Sequence, residues 1–193
     1  MSELQPTTQE LVDRVRDGGL MDDGRLKRPI YDLITDIMPL LCVDVLPVQD
    51  GPSGPRLGII TRATGPERHK PAILGGRINK DETISRAVGR HLLGSLGSAE
   101  FTYHQGNDEG RPFYIAQYVH TPSAPGGYDP TKHAIALNYL IRIPEPKRVK
   151  DEALDFKWTE LDEIPEVSAY NHHLAMQRAA DFLHSLGRVG LSG

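Results

Sequence analysis

The chain has a single cysteine, Cys42, in 193 residues, which excludes a disulfide framework and any zinc site built on paired thiolates. Cys42 lies in the apolar run Leu40-Leu-Cys-Val-Asp-Val-Leu46 and reads as a small buried hydrophobe rather than a reactive thiol. No stretch reaches the ~20 apolar residues that span a bilayer. The N-terminus, Met1-Ser-Glu-Leu-Gln-Pro-Thr-Thr8, lacks a basic segment leading into an apolar one. The expectation is a cytoplasmic protein with no membrane partner. An excess of either charge is also lacking: 22 Lys and Arg against 26 Asp and Glu leave a formal net charge of -4. That balance predicts no nucleic-acid partner and confines phosphate binding to a local patch. At this length the core needs neither a disulfide nor a structural metal.

The local patterns predict alternating strands and helices. Positions 7–19 carry a Thr cap signal, apolar residues at 11, 12 and 15 and a Gly-Gly stop, and read as a short helix. A second short helix is predicted over 28–38, opened by Pro29 in its first turn. Strands are predicted at 40–48 and 56–62, joined by a turn cluster at 49–55. Further strands are expected at 71–74, 101–104, 113–120, 133–143 and 154–158. The Pro- and Gly-rich loop at 121–130 could serve as a lid or as plain surface. Helices are expected at about 83–96 and 171–186, the second with Leu174, Ala175, Met176, Ala179, Phe182, Leu183 and Leu186 on mostly one face. His172 and His173 read as the solvent-exposed start of that helix.

The most informative stretch is Leu74-Gly-Gly-Arg-Ile-Asn-Lys-Asp-Glu82, running into Thr83 and on to Gly97. Gly76, Glu82, Arg90 and Gly97 have the outer spacing of the Nudix box, and on these residues the chain resembles the Nudix family. In that family three glutamates hold Mg²⁺ or Mn²⁺ against a substrate diphosphate. They fall at positions 91, 94 and 95, which share a helical face because they are three and four residues apart. Here those positions are His91, Gly94 and Ser95, a degenerate box whose formal side-chain charge is zero when histidine is neutral.

Within the family the box is similar to that of the GDP-mannose mannosyl hydrolases, which attack the sugar carbon. The similarity covers Gly75-Gly-Arg-Ile-Asn-Lys-Asp-Glu-Thr83, and its flanking matches include Asp44, Phe113-Tyr114, Gly127, Asp129, Thr131, His133 and Trp158-Thr159. It extends over about 29–182 and implies a Nudix α/β/α sandwich with a central mixed sheet between the box helix and the C-terminal helix. It also implies a homodimer. The expected organisation is a helical extension at 1–28, the Nudix-like domain at 29–187 and a flexible tail at 188–193.

The resemblance also implies roles for particular residues. Asp44 meets the sugar, the Gly75 carbonyl faces the metal, and Glu82 with Arg90 forms a structural pair steadying the loop. Gly76 and His133 line the substrate site, and Arg62 or Arg68 stands in for a substrate arginine. The family's box glutamate falls on Ser95. A Gln-His pair that supplies a metal ligand and the catalytic base falls on Glu152-Ala153, making Glu152 the candidate ligand and catalytic group. From chemistry alone, His91 is a candidate general base, because imidazole titrates near neutrality, and its alternative is a partly exposed helix-face histidine. Three strand-associated histidines, His104, His120 and His133, would suit Zn²⁺ if they converged.

Three functions follow. One is a hydrolase of a nucleotide sugar or other nucleoside diphosphate derivative, with a non-ordinary Mg²⁺ or Mn²⁺ site on Gly75 and Glu152. Another is a Nudix-fold module that binds a nucleotide, a nucleotide sugar or a protein without turnover. The third is metal-independent chemistry on a different substrate in the same cleft.

Overall fold

The structure, a computed structural model, describes residues 10, 13, 21–22, 25–121 and 127–189. The chain divides into two compact units, Met1–Met38 and Pro39–Gly193. In the first, β1 (Met21–Asp22) pairs antiparallel with β2 (Arg25–Leu26), and α1 spans Arg28–Ile37. Pro29 sits in the first turn of α1, where its missing N–H costs no helical bond. The helix expected at 7–19 lies outside the described residues, apart from Glu10 and Asp13.

The second unit is built on β3 (Leu40–Gly51), whose residues 42–48 are all buried. Such a continuous apolar run suits a strand covered on both faces. β3 runs parallel to β9 (Ala134–Arg142) along one side. On its other side it first pairs with β6 (Leu74–Arg77) through residues 42–45, then with β4 (Gly54–Arg62) through residues 48–51. Pro47, which has no N–H to give a ladder, falls between those two pairings.

Beyond β4 lie β5 (Pro71–Ala72) and β10 (Ala153–Glu160), and beyond β9 lie β7 (Thr102–Tyr103) and β8 (Tyr114–Tyr118). The turn cluster expected at 49–55 is shorter than its composition suggested. Gln49 pairs with Arg56 and Gly51 with Gly54, leaving Pro52-Ser53 as the turn. An Arg56 Nη2 bond to Gln49 Oε1 at 3.0 Å extends the ladder outward.

One helix covers each face of the sheet, α2 (Ile84–Leu96) and α3 (His173–Val189). Thr83 Oγ1 accepts the Arg86 N–H to start α2, and Gly97, left-handed at φ 79°, ends it. Residue alternation along β3 divides the core. Val43 and Val45 pack with Val88, Leu92 and Leu96 of α2, while Leu46 and Val48 pack with Ala175, Met176, Ala179 and Leu183 of α3. This is the three-layer arrangement, with a mixed sheet at its centre, that the family resemblance implies.

Among the described residues, no helix is long and apolar enough to cross a membrane. Leu92 is 1% exposed at the centre of the α2 layer. Leu92→Ala is therefore expected to lower the unfolding free energy in urea by about 2–5 kcal/mol.

Candidate functional site

The glycine pair in β6 sets the geometry of the cleft. A Cβ on Gly75 would lie 2.2 Å from the Val43 carbonyl and 2.5 Å from Asp44 Oδ1, so this position has no room for a side chain. A Cβ on Gly76 would lie 2.7 Å from Cε1 of His91. The two glycines thus let Asp44 and His91 close onto the backbone from β3 and from α2. The loop between β6 and α2 is clamped by Arg90. Its Nε and Nη2 each reach a Glu82 carboxylate oxygen at 2.7 Å, and Nη2 also donates to the Arg77 carbonyl at 2.9 Å. Glu82 further accepts the Asn79 N–H at 2.8 Å. The bidentate partner holds the Glu82 carboxyl below its usual range.

Asp44 is 7% exposed and accepts a hydrogen bond from Tyr118 Oη at 3.3 Å. Burial pushes its carboxyl up to about 7, opposed by the Tyr118 bond and by the charges of Lys132 and Arg62, and reinforced by Glu152. Burial also depresses His91, against the opposing charge of Glu152. Glu152 therefore acts on Asp44 and His91 together, and its charge reaches Cys42 as well. Cys42 is 5% exposed, and burial raises its thiol to about 12, so no nucleophilic thiolate is available there.

The loop preceding β10 brings these acids to the box helix. Lys150 donates its N–H to the Ser95 carbonyl at 3.0 Å, and a Cβ on Gly94 would sit 3.3 Å from Asp151 Oδ2. Acidic groups thus stand beside positions 91 and 94 from outside the helix. Ser95 is 2% exposed. Among the described residues no three His, Cys, Asp or Glu side chains gather as a metal site. The internal segment outside them, 122–126, has none of these residue types. The donor set does not fit a three-carboxylate Mg²⁺ or Mn²⁺ centre.

Arg62 donates from Nε to the Thr64 carbonyl at 3.0 Å and stacks over Tyr170, with its guanidinium carbon 4.9 Å from the ring centre. His133 lies apart from this group. Its Nε2 accepts from Gln117 at 2.9 Å, on the opposite face of β8 from Tyr118. His104 and His120 face the carbonyls of Gln105 and Pro130, so the three strand histidines have separate partners.

His172 corrects the expectation of an exposed helix start. It is 7% exposed, and its Nδ1 accepts the Ile73 N–H at 3.0 Å. The turn before α3 carries Tyr170 and Asn171 at φ 53° and 61°, and this left-handed pair tucks His172 beneath the cleft while α3 begins one residue later. Asparagine tolerates that region, whereas tyrosine gives no sequence sign of it. Burial lowers His172 to about 3 from 6.5. The unfolded chain therefore takes up a proton there that the folded chain refuses, and this contribution to stability is lost as pH falls through that window.

A model of the family described as Domain of unknown function (DUF4916) matches residues 23–190. The chain belongs to that family. No curated protein sequence is significantly similar to it. Among solved structures, it is similar to a possible asymmetric diadenosine tetraphosphate hydrolase from Jonesia denitrificans, at 26% identity over 77% of this chain and 96% of that one, with a TM-score of 0.65. A MutT Nudix hydrolase from Burkholderia pseudomallei is 22% identical over 73% and 98% of the two chains, with a TM-score of 0.55. The Nudix domain of Shewanella oneidensis NrtR, solved with ADP ribose, is 19% identical over 82% and 99%, with a TM-score of 0.54. The fold of this DUF4916 chain is the Nudix fold.

The buried Asp44 has a measurable cost. Between 3.8 and about 7 the folded chain holds a proton that the unfolded chain has released, so stability falls as pH rises through that window. Asp44→Asn is expected to melt above wild type at pH 8, by up to roughly 4 kcal/mol in unfolding free energy. The difference should vanish near pH 4, as followed by thermal melts across the range.

Proposed function

We propose that this cleft binds a nucleoside diphosphate derivative, with nucleotide sugars the preferred class, and hydrolyses it by acid–base chemistry. The observation that carries the proposal is that Asp44 and His91 close onto the Gly75-Gly76 backbone while the charge of Glu152 reaches both, with Asp44 pushed up and His91 pushed down. Oppositely displaced titrating groups in one cleft are the arrangement that acid–base catalysis needs. As His91 or Glu152 takes a proton from water, the water oxygen forms a bond to the sugar carbon or phosphorus that bears the leaving oxygen. As the bond to the leaving oxygen breaks, that oxygen keeps the electron pair and takes the proton that Asp44 holds near neutrality. Asp44 is also the residue that the GDP-mannose hydrolase resemblance sets against the sugar, and Arg62 supplies positive charge for the phosphates.

The diadenosine tetraphosphate hydrolase neighbour supports a diphosphate-containing substrate. The degenerate box explains why this chain would depart from metal-assisted hydrolysis: His91, Gly94 and Ser95 offer no helix carboxylate. Mg²⁺ or Mn²⁺ held by the Gly75 carbonyl and Glu152 would be a supplementary feature, and a homodimer is the assembly that the resemblance favours. The same helix positions also favour a second reading, a binding module without turnover. The Nudix domain of NrtR, solved with ADP ribose, supports that reading.

The test is ³¹P NMR of the protein with nucleotide sugars and dinucleoside polyphosphates, in Mg²⁺, in Mn²⁺ and in EDTA. The expected result is turnover that persists in EDTA and falls at least about 100-fold in Glu152→Gln, as loss of an acid–base group implies. Turnover confined to the metal arms would place a cation on Gly75 and Glu152, and binding without turnover in any arm would establish the second reading.

A further inference from the structure

His172 is not used by the chemistry above, yet its ring is held by one hydrogen bond and two aromatic contacts. Its ring lies edge-on to Tyr118, with centroids 5.4 Å apart, and 5.7 Å from Tyr170. A backbone N–H can only donate, so the 3.0 Å contact with Ile73 N fixes Nδ1 as the acceptor and leaves the proton on Nε2. Among the described residues nothing accepts that Nε2–H. The same wall carries Arg62, held by Thr64 and stacked on Tyr170, and among the described residues its terminal nitrogens make no hydrogen bond.

The geometry points to His172 Nε2–H and the Arg62 guanidinium as one phosphoryl-binding subsite, in which His172 donates to a phosphate oxygen of the nucleoside diphosphate derivative. This assignment rests on the reading of the cleft given above and adds a residue to it. A neutral N–H donor beside fixed positive charge suits an anionic oxygen better than a further donor. The charges of Arg62 and Lys132 both reach the ring and, with burial, disfavour its protonation. Nδ1 cannot serve the ligand without surrendering the Ile73 N–H, so the ring acts as a donor of fixed tautomer.

Two substitutions separate the ring's two edges. The Asn side-chain oxygen can stand where Nδ1 accepts from Ile73 but puts nothing at Nε2, whereas the Gln amide nitrogen reaches the Nε2 position and gives up the Ile73 bond. The probes are inorganic pyrophosphate and ADP-ribose, titrated into the full chain in EDTA. In wild type, long-range ¹H–¹⁵N NMR should show Nε2 protonated and its resonance moving with either probe. His172→Asn should weaken both probes about tenfold or more, while His172→Gln binds within about threefold of wild type and melts lower.

A wild-type ring signal that stays still at saturating probe overturns the assignment, as does a folded His172→Asn that binds as tightly as wild type. If His172→Asn does not fold, the wild-type ring signal decides alone. Wild-type protein that binds neither probe overturns the nucleoside diphosphate reading as well, whereas binding that ignores His172 overturns only this subsite.

Discussion

A carboxylate in the middle of a central strand is expensive to bury unless its surroundings answer its charge, and the placement of Asp44 governs the rest of this cleft. Space for it exists because Gly75 has no side chain, and its hydrogen bond comes from Tyr118 on another strand. Tyr118 in turn packs against His172, which is held to the sheet by Ile73. The wall of the cleft is therefore a chain of contacts that begins at one buried acid. Its burial lowers stability above neutrality, where the folded chain must hold an ionised carboxylate out of water.

The loop before β10 is tied to α2 by the Lys150 N–H bond to the Ser95 carbonyl. The loop sets Asp151 beside Gly94 of α2, and the charge of Glu152 reaches His91. The clamp of Glu82 and Arg90 is separate from these contacts, since it ties the loop after β6 to the helix whatever stands at positions 91, 94 and 95. Fold membership alone does not fix the reaction.

Much of the scaffold could be read from local pattern. The apolar run at 40–48 marks a strand, which the structure covers on both faces, and the expected helix at about 83–96 matches α2 closely. Composition overstated the turn before β4, because the pairing of Gln49 with Arg56 is a cross-strand property. The cleft was only partly legible. Asp44 stood out as a charge in an apolar strand, but Tyr118 is 74 positions away along the chain. His172 was misread because its burial depends on a left-handed turn at Tyr170 and on a backbone donor 99 positions away. Such long-range partners leave no periodicity for a sequence to display.

Asp44 is a buried acid that still holds its proton near neutrality, and ¹³C NMR titration of its side-chain carboxyl tests this directly. The expected midpoint in the free protein is about 7. A midpoint near the ordinary aspartate value of about 4 would contradict it, because Asp44 would then be a plain carboxylate with no proton to give.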